Sequence, residues 1–186
     1  MPTLRERSRE RMLAILVFAL LCAISPAVAQ ESLHAEHKIK TAFLYNFLRF
    51  VTWPDHAGHE SGAFDLCMLG AKPLSGLVDG LSGAAAGDRS IRIRRLETPD
   101  QAQGCHVVYV GREFSEHLES TMSLLKEKPI LTVSDVAGFT SHGGIIEFMV
   151  IDDKIRFDIH IGAATDAGLM ISSKLLMTAN AVKGDP

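Results

Sequence analysis

From Phe64 onward, apolar runs of strand length alternate with segments of helical spacing, and this alternation most limits the folds open to the chain. Phe64-Asp65-Leu66-Cys67-Met68-Leu69 reads as a strand ending at Gly70, and residues 74–81 read as a short helix before a glycine-flanked turn. Ser90-Ile91-Arg92-Ile93-Arg94 alternates with period two, which predicts a strand with one wet face at a sheet edge. Residues 107–110 are uniformly apolar and suit a central strand buried on both faces. Residues 114–126 place Leu118, Met122 and Leu125 on one side of a helix, and Pro129-Ile130-Leu131-Thr132-Val133 is the next strand.

Three segments flank this core. Residues 31–53 carry Ile39, Phe43, Phe47 and Phe50 at helical spacing, widened by Leu44, Leu48 and Val51, with Pro54 as the stop. Residues 144–151 and 154–159 are apolar strands around Asp152-Asp153, a two-residue polar turn typical of a hairpin. Residues 163–182 follow as one or two helices, with Leu169, Leu175, Leu176 and Ala179 as core contacts. The order predicts an α/β fold: a three-layer α/β/α sandwich whose mostly parallel sheet carries an antiparallel edge hairpin. No internal repeat or linker interrupts it. At 186 residues, against roughly 100 to 200 per domain, one domain over residues 30–186 is expected.

The opening 29 residues read differently. Arg5, Arg7, Arg9 and Arg11 precede an apolar run over residues 12–24, and Ala27-Val28-Ala29 is a small-residue cleavage site. The pattern predicts a signal peptide over residues 1–29, export to the periplasm, and Gln30 as the first residue left. Leu21 ahead of Cys22 speaks against a lipid anchor, because the residue before an anchoring cysteine is normally small. Losing four Arg and two Glu takes the formal net charge from -3 to -5. With no long basic run either, nucleic acid is not an expected partner. Two cysteines remain, Cys67 and Cys105, in a compartment where disulfides persist. A bridge between them is expected; two buried free thiols are the alternative.

Several blocks resemble one family. Glu36-x-x-Ile39-Lys40-x-Ala42-Phe43-Leu44-Tyr45-Asn46-Phe47, then Phe50-Val51-x-Trp53-Pro54, is similar to the opening signature of the YfiR family of periplasmic proteins. Phe64-x-Leu66-Cys67-x-Leu69-Gly70, Cys105-His106-Val107-Val108-Tyr109-Val110 and Leu131-Thr132-Val133-Ser134-Asp135-x-x-Gly138-Phe139 follow in the family's order. Gly143-Gly144-x-Ile146-x-Phe148, Arg156-Phe157-Asp158-Ile159 and Ala167-Gly168-Leu169-x-Ile171-Ser172-Ser173 complete the series. The resemblance implies a non-enzymatic regulator that represses an inner-membrane diguanylate cyclase through its periplasmic domain, lowering cyclic di-GMP and biofilm formation. It also implies a homodimer, sequestration by an OmpA-like outer-membrane lipoprotein, no cofactor, and a family disulfide that maps onto Cys67 and Cys105. A further cysteine of some relatives has no counterpart here.

The residues themselves point the same way on catalysis. The chain has no G-x-x-x-x-G-K-[ST] loop, no G-x-S-x-G elbow, no H-E-x-x-H helix and no C-x-x-C pair. His34-x-x-His37 and His56-x-x-His59 are read as surface histidines rather than metal ligands, since a structural zinc needs four. Arg49, Trp53, His106 and His160 form a candidate small-ligand pocket, against the plainer readings of a solvated arginine and a core tryptophan. That pocket supports the alternative function, a periplasmic small-ligand binding module serving a sensor or transporter. Residues 163–176 are the expected docking face for a partner protein, because small and apolar residues are denser there than one buried stripe uses.

Overall fold

The computed structural model describes residues 25–54 and 62–185. The arginine-rich opening, the apolar run to Ile24 and the His56-x-x-His59 loop lie outside the described residues. The chain divides into two compact units, Met1–Glu36 and His37–Pro186. Helix α1 (Ser25–Phe50) passes from the first into the second. In the first unit the helix leaves Leu33 exposed; everything below concerns the second.

Alternation of side chains along the strands produces two cores. In strand β2 (Ala63–Leu69), Leu66 and Met68 join one apolar cluster while Cys67 and Leu69 join another. Strand β5 (Val107–Val110) repeats the split, Val107 and Tyr109 against Val108 and Val110, and all four are buried. Leu44, Phe47 and Leu48 of α1 cover the first face. A helix, α3 (Leu118–Leu125), covers the second with the expected stripe of Leu118, Met122 and Leu125. Helices on both faces of one sheet make the three layers.

The main sheet has eight strands in the order β10-β8-β7-β6-β5-β2-β4-β3. Here β3 is Ala85–Ala86, β4 is Arg89–Leu96, β6 is Leu131–Ser134, β7 is Ile146–Ile151, β8 is Lys154–His160 and β10 is Ala181–Lys183. β4, β2, β5, β6 and β7 run parallel, and β8 returns antiparallel to β7. Asp152 and Asp153 turn the hairpin with φ of 49° and 56°, the left-handed pair that a two-residue turn of this hand requires.

Short strands account for the departures from the periodicity reading. α1 stops at Phe50, not at Trp53, because Val51 and Thr52 form β1 (Val51–Thr52) against β9 (Met170–Ile171). Pro54 disfavours helical geometry in Trp53 ahead of it. The expected helix over residues 114–126 begins as a 3-10 turn, Arg112–His117, and becomes α-helical only at Leu118.

Residues 163–182 divide further than one or two helices. They hold the end of α4 (Ile161–Asp166), then β9, α5 (Ser173–Leu176) and the start of β10. Gly168, with φ of 70°, ends the first of these helices. β10 adds outside β8, so the hairpin sits one strand in from the edge. Likewise β3 lies outside β4, pairing with Arg89 and Ser90. The apolar residues of the expected docking segment are largely spent on the core: Ala164, Ala167, Leu169 and Leu175 are buried, while Met170 is 68% exposed.

Candidate functional site

Two of the four pocket candidates meet. The Trp53 indole Nε1 donates to the His106 carbonyl at 3.0 Å, and their rings lie 5.5 Å apart. His106 is fully buried just before β5, and its Nδ1 accepts from the Asp65 backbone N–H at 3.0 Å. That bond leaves Nδ1 without a proton and fixes the ring. Phe64 packs edge-on to His106 at 5.0 Å, and the Arg89 guanidinium lies 5.1 Å over Phe64. These contacts make a packed corner.

The other two candidates sit elsewhere. Arg49 is exposed, its guanidinium 5.9 Å over the Tyr45 ring. His160 ends β8 and caps α4, its Nδ1 accepting from Ala163 N at 3.0 Å. β8 lies three strands from β5, about 14 Å at the usual spacing. Because β8 is antiparallel to β7, His160 falls at the amino ends of the parallel strands.

α/β folds place ligands at the carboxyl ends, where the strand order reverses. Here the chain moves from β2 outward to β4 and then back to β5, so the switch point lies between β2 and β5. It is shut. Glu113, in the turn after β5, accepts from Ala71 N at 3.1 Å and Lys72 N at 3.5 Å, capping α2 (Lys72–Val78). Burial pushes the Glu113 carboxyl up, but hydrogen bonds from its own backbone, Ala71 and Lys72, with the Lys72 charge, outweigh it and hold the group low. The two loops approach so closely that a Cβ at Gly111 would collide with Ala71 N.

One strand further on, an ion cluster appears that periodicity did not reveal. Asp135 follows β6, and its Oδ2 takes Lys40 Nζ at 2.6 Å and Arg112 Nε at 3.2 Å. Lys40 is 1% exposed despite its charge. Burial raises the Asp135 carboxyl, yet the hydrogen bonds and charges of Lys40 and Arg112 prevail and hold it below the usual range. The loop carrying Asp135 is tied down. Ser134 Oγ donates to Val110 O at 2.8 Å and accepts from Val136 N, and Glu147 accepts from Gly138 N, Thr140 N and Thr140 Oγ1.

Asp158 is buried and likewise held low against burial by Lys183 and Asn180. A carboxyl whose folded pKa is depressed stabilises fully above its unfolded value, near 3.9, and loses that contribution as pH falls through the folded value. Unfolding free energy is therefore expected to drop below about pH 4, and Asp135→Asn should flatten part of that drop. Denaturant titrations at pH 3 and pH 6 check this; equal losses in both proteins would rule out Asp135 as a contributor.

On the second face a disulfide joins Cys67 in β2 to Cys105 ahead of β5, Cα to Cα 6.0 Å. Among the described residues, no group of three or more His, Cys, Asp or Glu side chains could hold a metal ion. No helix among them is long and apolar enough to cross a membrane.

A three-layer α/β domain whose switch-point loops are bridged by its own glutamate, and whose central strands are stapled by a disulfide, defines the class. The chain belongs to the YfiR/HmsC-like family, whose model matches residues 37–180. Among solved structures it is similar to a conserved domain protein from Vibrio cholerae, at 10% identity and a TM-score of 0.48 over 67% of this chain. It is also similar to an ABC domain from Streptococcus pneumoniae in complex with L-Trp, at 12% identity and a TM-score of 0.47 over 65% of this chain. The chain spans 55% of the length of each.

Proposed function

We propose that the protein is a periplasmic regulator that binds the periplasmic domain of an inner-membrane diguanylate cyclase and represses it. The observation that carries this reading is the family match over residues 37–180, which takes in most of the His37–Pro186 unit. Members of this family are regulatory rather than catalytic. The Glu113 bridge across the switch point supports that role, since it ties together the two loops that flank the usual ligand crevice of the fold.

Repression needs no chemistry. A binder shifts a two-state cyclase by its differential affinity for the two states, and moving the balance from 1:99 to 99:1 takes about 5.5 kcal/mol. In this reading the protein acts as a homodimer in the periplasm, freed of residues 1–29 by cleavage after Ala29, and an OmpA-like outer-membrane lipoprotein can withdraw it.

Deleting the gene should raise cellular cyclic di-GMP and biofilm formation, and restoring it should reverse both. The complemented strain should yield a protein whose intact mass begins at Gln30. Unchanged cyclic di-GMP, together with no calorimetric binding to the purified cyclase domain at micromolar concentration, would overturn the repressor reading in favour of a small-ligand binding module.

A further inference from the structure

We infer that the outer edge of β4 over residues 92–96 takes an extended acidic segment of a partner protein as an added strand. This goes beyond the regulatory reading and does not rest on it. β4 has eight residues, yet β3 outside it pairs only with Arg89 and Ser90. One residue further, the Ile91 carbonyl accepts from Gly83 N at 2.8 Å and the Ile91 N–H donates to the Ala84 carbonyl at 2.9 Å. These two bonds show that the odd-numbered residues of β4 turn their backbone groups away from β2. Ile93 and Arg95 therefore each present an N–H and a carbonyl to the outside, and among the described residues no backbone bond meets these groups.

Side chains decide what can pair there. Arg92 and Arg94 alternate with Ile93, which belongs with Leu81 to the apolar cluster of the first face, both half-buried. The strand holds Arg89, Arg92, Arg94 and Arg95 and no acid; Asp88 and Glu97 stand just outside its two ends. Asp65 takes Arg92 and Asp79 takes Arg95. Arg94 instead bonds neutral groups, the Gln103 carbonyl at 2.9 Å and the Gln101 carbonyl at 3.1 Å, and Arg89 lies over the Phe64 ring. The middle of the strand thus carries more positive charge than its carboxylates offset.

An open edge is a template for any extended chain, a second copy of this one included. Antiparallel pairing of two copies across a two-fold at Ile93 would set Arg92 opposite Arg94, and a two-fold at Arg94 or Arg95 would set that arginine opposite itself. Like charges directly opposite destabilise a sheet, so the edge rejects its own copy. A segment with carboxylates against Arg92 and Arg94 and an apolar side chain against Ile93 pairs without that repulsion. Backbone bonds to Ile93 and Arg95 hold it along the strand, and the alternate side chains select it.

The acetylated and amidated peptide Glu-Val-Glu-Val-Glu-Val tests the proposal, with Lys-Val-Lys-Val-Lys-Val as the charge-reversed probe, on protein purified from cells expressing the whole gene. The acidic peptide should bind saturably below about 1 mM and slow amide exchange at Ile93 and Arg95 by about tenfold or more. Exchange at Arg92 and Arg94, which face β2 with their N–H groups, should not change. The lysine peptide should bind about tenfold more weakly or not at all. Arg94→Gln keeps a donor for the Gln103 carbonyl and should weaken the acidic peptide about threefold or more. Arg95→Pro removes one outward N–H where an edge strand tolerates proline, and should weaken it about fivefold or more; Arg94→Gln carries the test where Arg95→Pro fails to fold. No saturable binding, equal binding of both peptides, exchange slowed at odd and even residues alike, or binding unchanged in both variants would each overturn the proposal. So would protection of Ile93 and Arg95 that rises with protein concentration in the absence of peptide, which would assign the edge to a second copy.

Discussion

Phe47→Ala is expected to lower the unfolding free energy by about 3 to 5 kcal/mol, the usual cost of removing a buried phenylalanine ring. Phe47 is fully buried where α1 crosses the hairpin. Its ring lies 5.8 Å from Phe148 and 5.3 Å from Phe157, a cross-strand pair in β7 and β8, and 6.1 Å from Phe43 one helical turn earlier. Truncation therefore opens a cavity that no single neighbour can fill. It also loosens the helix from the β7–β8 hairpin, so the effect should extend to the neighbouring turns of α1. For a chain of this size the loss corresponds to roughly 6 to 20 °C in melting temperature. Phe43→Ala, at a half-buried position in the same cluster, should cost less. Thermal and urea unfolding of both variants decide the matter: a Phe47→Ala loss under about 1 kcal/mol, or one smaller than that of Phe43→Ala, would show that the helix is anchored elsewhere.

The same helix shows what a linear reading recovers and what it misses. Phe43, Phe47, Leu44 and Leu48 announce themselves by spacing, because burying one face imposes a 3.6-residue period. The hairpin is legible for a similar reason: only a tight two-residue turn suits Asp152-Asp153 between two apolar runs. α3 shows its stripe of Leu118, Met122 and Leu125 even though its first turn is 3-10. Two- and three-residue strands have no period to read. β1, β9 and β10 exist because a partner backbone lies alongside, and those partners come from distant parts of the chain.

Charged residues raise the same difficulty more sharply. Lys40 sits within the helical segment as an apparent interruption, and nothing local says that it is buried. Its carboxylate partner is 95 residues away, so the pair exists only after the sheet has formed. Asp135 and Arg112 were likewise invisible as a cluster, though both follow apolar strands, and that position was the available signal. Of the four residues chosen from sequence, Trp53 and His106 do meet, as elements of a packed corner, whereas Arg49 stacks on Tyr45 and His160 caps a helix. Residue type identified groups able to bind; only topology shows which of them share a crevice.

Removing the disulfide is expected to cost about 2 to 5 kcal/mol, although no contact with solvent or ligand changes. Cys67 and Cys105 are both fully buried and 38 residues apart, and they tie β2 to the segment that enters β5. The chain-entropy model gives roughly 4 kcal/mol for a loop of this length, as a restriction lifted from the unfolded chain. A cavity contribution would add to it in the double variant Cys67→Ala, Cys105→Ala, since both sulfur atoms lie in the apolar cluster with Val108, Leu118 and Met122. The two sources separate experimentally. Wild type unfolded under reducing conditions loses only the cross-link, while the alanine variant loses the cross-link and the packing of two sulfur atoms. Reduced wild type should therefore fall between oxidised wild type and the variant, with the larger step on reduction. Since β2 and β5 also flank the crevice that Glu113 bridges, loss of the tie should loosen the Ala71–Glu113 contact, which faster amide exchange at Ala71 would report. Two free thiols in the unfolded, unreduced protein, or a reduction step under about 1 kcal/mol, would show that the bridge does not carry this stability.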